Sequence, residues 1–146
     1  MKKSLIALAF ALTASSNTFA SGLDNASANV SMNVALYASI TGLDDFALST
    51  SGTDGSADAV YSGSDTYNLE SNGQVRVTLS GGDLTNGTDS VATSYSLDGS
   101  AMTFDTVADS THNQAHTVAA SAQLGAISDQ KAGAYAGAIT LTVSGI

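Results

Sequence analysis

The chain has 146 residues, 43% of them apolar and 12% charged, with no cysteine, proline or tryptophan and a formal net charge of −9. One domain with one core fits that length, and the apolar content is too high for a solvated acidic tail. The negative charge argues against nucleic acid or a polybasic membrane contact as partners, and no disulfide can brace the fold, so burial and backbone pairing must do so alone.

The chain opens with Lys2 and Lys3, an apolar run from Leu5 to Leu12, and small residues at Thr18 and Ala20. These are the three parts of a secretory signal peptide cleaved after Ala20. The apolar run is too short for a membrane span, which needs roughly 20 residues. Residues 1–20 are therefore expected to be removed on export, leaving Arg76 and Lys131 against thirteen carboxylates, a net charge of −11. No direct membrane insertion is expected of the exported chain.

The next segment, "NVSMNVALYASI" from Asn29 to Ile40, places Val30, Met32, Val34, Leu36, Ala38 and Ile40 at alternate positions. Such a period of two marks a strand with one apolar face. Its twelve residues exceed the usual five or six, which raises the possibility that it completes another molecule's sheet.

Asp45–Thr50 is a short second strand, and Ser51–Ser56 is a loop by composition. Ala59–Tyr61 and Thr66–Leu69 are weaker strands on either side of Ser62-Gly63-Ser64. Gln74–Ser80 is a strong one, with Val75, Val77 and Leu79 on one face, ended by Gly81-Gly82. Asp98-Gly99 supplies the positive φ angles of a two-residue hairpin turn. Pairing across it would set Tyr95 opposite Met102 and Thr93 opposite Phe104. His116–Leu124 alternates Val118, Ala120, Ala122 and Leu124, and Ala134–Ser144 alternates Tyr135, Ile139, Leu141 and Val143. Many short strands with turn signals between them, and no helix pattern after residue 20, predict an all-β antiparallel sandwich. Its parts are residues 1–20 as signal peptide, 21–40 as an N-terminal extension and strand, and 41–146 as the domain.

Chemistry is sparse. His112 and His116 have a spacing that binds zinc when carried on a helix, but here they precede a strand and read as a polar loop. Glycine-flanked carboxylates at Asp54–Asp58 and Gly81–Asp89 could offer oxygen ligands to calcium; solvated turns are the plainer reading. No G-x-S-x-G elbow, triad pattern or paired acids on one strand face points to an enzyme. No catalytic residue, metal or cofactor is assigned.

The segment Lys131–Ser144, "KAGAYAGAITLTVS", resembles the closing strand of the spore-coat-U-like domain of archaic chaperone–usher pilins. Thr93–Gly99 resembles that family's Tyr-x-Leu strand and turn. His116–Leu124 occupies the place of its penultimate strand, and Asn29–Phe46 matches its N-terminal donor strand and first domain strand in layout. The chain departs from the family in lacking its common cysteines and any proline, and a secreted fibre-forming sandwich of the TasA type has a similar pattern.

The resemblance implies an Ig-like, pilin-like sandwich whose missing strand is supplied by the next subunit, with Val30, Met32, Val34, Leu36, Ala38 and Ile40 as the inserted face. It implies a homopolymeric extracellular filament, a pilus or matrix fibre, reached through the bacterial periplasm with a chaperone and an outer-membrane usher as partners. The competing expectation is a soluble secreted or periplasmic sandwich that binds calcium or carbohydrate.

Overall fold

The computed structural model describes residues 26–146. The expected signal peptide lies outside the described residues. Those residues form nine strands and no helix: β1 (Ala38–Thr41), β2 (Val60–Ser71), β3 (Val75–Gly81), β4 (Leu84–Asn86), β5 (Asp89–Val91), β6 (Thr93–Leu97), β7 (Thr103–Asp105), β8 (His112–Gln123) and β9 (Ile139–Gly145). All pairings are antiparallel. One sheet has the order β1-β2-β8-β6, a second β7-β3-β9, and β4-β5 is a separate hairpin.

The long β2–β8 ladder, from Val60↔Gln123 to Ser71↔His112, is the spine of the first sheet. Alternation decides which side chains go inside. Tyr67 and Leu69 from β2, Leu97 from β6 and Val118 from β8 meet Val75, Val77 and Leu79 from β3 in one buried cluster. Two antiparallel sheets sharing one apolar cluster are consistent with a β-sandwich. Val75, Val77 and Leu79 are buried as the sequence predicts, because β3 lies between β7 and β9 and presents one face to the core. Thr106 fastens the end of β7 to β3: its Oγ1 accepts from Val75 N at 2.9 Å, and its own N–H donates to Val75 O at 2.9 Å.

Several expectations are corrected. The two weak strands around Ser62-Gly63-Ser64 are one strand, β2, since an unbroken partner in β8 outweighs local turn composition. Asp45–Thr50 forms only the isolated bridge Ser49↔Ser62. The Asp98-Gly99 turn forms with φ of 49° and 74°, and Ser100 N donates to Leu97 O at 3.0 Å. The strands beyond it separate, however. Thr93 and Tyr95 pair with Ala122 and Ala120 on β8, while Phe104 pairs with Val77 on β3. The turn thus carries the chain from one sheet to the other instead of closing a hairpin. The last strand begins at Ile139 rather than Ala134, and Ala136 makes only a bridge with Thr85.

The predicted strand from Asn29 to Ile40 is divided. Ala38–Thr41 pairs with β2 through Ala38↔Ser71 and Ile40↔Leu69, and Ala38 and Ile40 pack partly buried against the core. No strand is assigned to residues 26–37.

Candidate functional site

The face of β8 that points into the sandwich shrinks along the strand, from Val118 to Ala120 and Ala122. Methyl groups cannot fill the space that larger side chains fill beside Leu97 and Tyr67, so the interior opens at that end. The result is a groove of about 1110 Å³. It is lined by Phe46, Leu48, Tyr95, Ala120, Ala122 and Ile139 together with the polar Asp44, Asp45, Asp54, Gln130 and Lys131. Gly81 keeps the Tyr95 ring in place: a Cβ there would come within 2.7 Å of the ring, and the tyrosine hydroxyl donates to Gly82 O at 2.6 Å.

Two sheet edges are incompletely covered. β9 pairs with β3 on one side and is the edge strand of its sheet, and its inward residues Ile139, Leu141 and Val143 are only half-buried. β1, at the edge of the other sheet, is four residues long. Such edges expose unpaired backbone groups and are templates for an added strand.

The sequence-predicted residues fall into two groups. Ala38 and Ile40 belong to β1 as described. Val30 and Met32 are 96% and 85% exposed, and Val34 and Leu36 are 68% and 52% exposed. Burying such side chains is favourable by about 1.5–3 kcal/mol each, so their exposure leaves that gain unrealised within the described residues. Leu36 is the boundary, with its side chain against Gly73 and Gly145. The groove itself escaped sequence reading, although the V-x-A-x-A pattern of β8 was its signal.

The calcium candidates are engaged otherwise. Asp54 accepts from the Tyr61 hydroxyl, and Asp83 Oδ1 accepts from Thr93 N at 3.1 Å. The Gly81–Asp89 stretch forms β4 and the turn to β5 rather than an open loop. Among the described residues no group of three or more His, Cys, Asp or Glu side chains converges as a metal site.

The two histidines are not in a loop. Both lie in β8, because residues 112–116 extend the ladder with β2 as far as Ser71. Their Nε2 atoms are 2.8 Å apart, and His116 Nδ1 is 2.7 Å from Asp98 Oδ2. Burial, then the neighbouring His116, pushes the His112 pKa down. Burial alone would raise the Asp98 pKa, but the hydrogen bonds from Thr117 N and from His116 hold it below its ordinary value. Tyr67, packed 5.6 Å ring to ring from His116, has its pKa pushed up to about 12 by burial and by the charge of Asp98.

No protein-family model matches the chain, and no curated protein matches it.

Proposed function

We propose that the chain is the structural subunit of an extracellular filament, a pilus or matrix fibre, built by donor-strand exchange. The observation that carries this reading is a set of exposed apolar side chains, Val30, Met32, Val34 and Leu36, in the same chain as an open groove of mixed polar and apolar lining that reaches Ile139 at the start of the edge strand β9. In this reading the domain is an Ig-like, pilin-like sandwich short of one strand, and the segment up to Leu36 of one subunit enters the groove of the next. Its backbone extends a sheet while alternate side chains fill the gap above Ala120 and Ala122. Ala38 and Ile40 stay in their own sheet, so the exchanged stretch is shorter than the sequence pattern suggests.

Burying the four side chains is worth roughly 6–12 kcal/mol before the costs of ordering and association. A donor and an acceptor on different parts of one molecule make a heterologous contact, which propagates as a fibre when the rotation does not close. Export through the signal peptide at residues 1–20, and delivery by a periplasmic chaperone and usher, belong to the same proposal. The calcium- or sugar-binding alternative has less behind it, since Asp54 and Asp83 already serve as local acceptors.

The test is removal of residues 21–35. The shortened chain should stay monomeric by negative-stain microscopy and should bind a peptide spanning Asn29 to Leu36, while the longer chain forms filaments. Filaments from the shortened chain, or indifference to the peptide, would reject strand exchange.

A further inference from the structure

The geometry points to a copper(II) site formed by the Nε2 atoms of His112 and His116 at the end of β8, oriented by Asp98. This inference is independent of the filament reading.

Four residues of strand place the two Cα atoms roughly 13 Å apart, so the rings meet only because both lean inward. They do so with centroids 5.0 Å apart and planes 20° from parallel, and Phe104 packs against both, at 5.9 Å from His112 and 4.4 Å from His116. Asp98 is itself fixed. Its Oδ1 accepts from Thr117 N at 2.8 Å, and its own N–H donates to Thr117 O at 2.8 Å. With Asp98 Oδ2 accepting the Nδ1 proton of His116, the Nε2 of that ring presents a lone pair. A carboxylate holding the far nitrogen of a histidine is the usual outer support of a metal ligand.

His112 Nε2 faces that lone pair. Without metal it donates a proton to His116 Nε2; with metal that proton resides on Nδ1 and both Nε2 atoms coordinate. His112 is only partly buried, which gives the ion a way in, whereas His116 is 6% exposed.

Donor type selects the metal. The observed 2.8 Å is the N–H···N bond of the metal-free pair; two imidazole nitrogens, with the remaining positions left to water, favour copper(II), the strongest binder of the divalent series.

The probe is copper(II) chloride added to the metal-free full chain. Since the sequence contains two histidines, their ring proton signals report directly. One equivalent should broaden both and give a tetragonal electron paramagnetic resonance spectrum with coupling to two nitrogens. His112→Gln, at the more exposed position, should weaken binding at least tenfold, and Asp98→Asn, which keeps both ligands, about 10–100-fold. Unbroadened histidine signals after one equivalent would show a hydrogen-bonded pair only and overturn the proposal, as would affinity unchanged in a folded His112→Gln chain. If that variant does not fold, the wild-type ring signals decide. Zinc bound more tightly than copper would overturn the assignment of the metal.

Discussion

Asn72 grips the backbone on both sides of Tyr37. Its Oδ1 accepts from Tyr37 N at 2.7 Å, and its Nδ2 donates to Ala35 O at 2.8 Å. A third bond, from Asn72 N to Tyr37 O at 3.1 Å, completes the clamp just before β1 begins. The chain is therefore fastened to its own domain at Ala35–Tyr37, and strand exchange requires Leu36 to be released from this clamp first.

Asn72→Ala should loosen that fastening. Two exposed side-chain hydrogen bonds are worth about 1–2 kcal/mol together. Hydrogen exchange at the Tyr37 amide should speed up while exchange in β3 and β8 is unchanged. A global loss of protection would mean that Asn72 supports the whole fold instead.

Donor and acceptor functions should be separable by single substitutions. Val34 is exposed, so Val34→Asp should leave the monomer's melting temperature unchanged but remove its ability to insert, since an unpaired buried carboxylate costs several kcal/mol. Ala122→Leu should fill the groove and block acceptance while the variant still donates. Neither variant alone should form filaments, and mixed together they should give heterodimers and nothing longer. Filaments from the mixture, detected by light scattering, would break the assignment.

Stability and assembly should respond to different residues. Leu69 is fully buried, and Leu69→Ala should cost about 2–5 kcal/mol of unfolding free energy. Val30→Ala should change unfolding by less than about 0.5 kcal/mol, yet weaken strand insertion by about 1–2 kcal/mol. Urea denaturation and peptide competition measure the two effects.

The Arg76–Asp105 pair gives a titration with a defined sign. The guanidinium donates two bonds of 2.6 Å to the carboxylate and holds the Asp105 pKa below its ordinary value. The pair's contribution is present above the ordinary carboxylate pKa and is lost as pH falls through the lowered one. Both groups are exposed at the surface, so the effect on stability is small. In Arg76→Gln, the Asp105 carboxyl should titrate at higher pH by carbon NMR.

The sequence was legible where one face of a strand meets the core. Val75, Val77 and Leu79 alternate because β3 is buried on that face, and the same holds for Val118, Ala120 and Ala122 on β8. It misled where tertiary pairing overrode local composition. Ser62-Gly63-Ser64 looks like a turn, but β8 supplies partners along its whole length. Asp98-Gly99 announced the turn correctly, yet no local signal says that the chain changes sheets after it. The histidines looked like loop residues because polar neighbours conceal a strand at the solvated end of a sheet. The stripe from Val30 to Ile40 was visible as a pattern, but its division depends on Asn72, thirty-five residues away from Tyr37 in the chain.

The pairing of β3 with β9 joins Val75 to Gly145 and Gly81 to Ile139, so the second sheet lacks one of its three strands until residues 139–145 have been delivered. Long-range pairing of this kind slows folding, because loop closure must precede any gain from contact. Until β9 arrives, one edge of β3 stays open and the apolar face carrying Val75, Val77 and Leu79 lacks part of its cover. A chain emerging amino terminus first thus passes through an aggregation-prone interval before β9 is delivered, and removal of Ile139–Gly145 should be felt as a failure of folding.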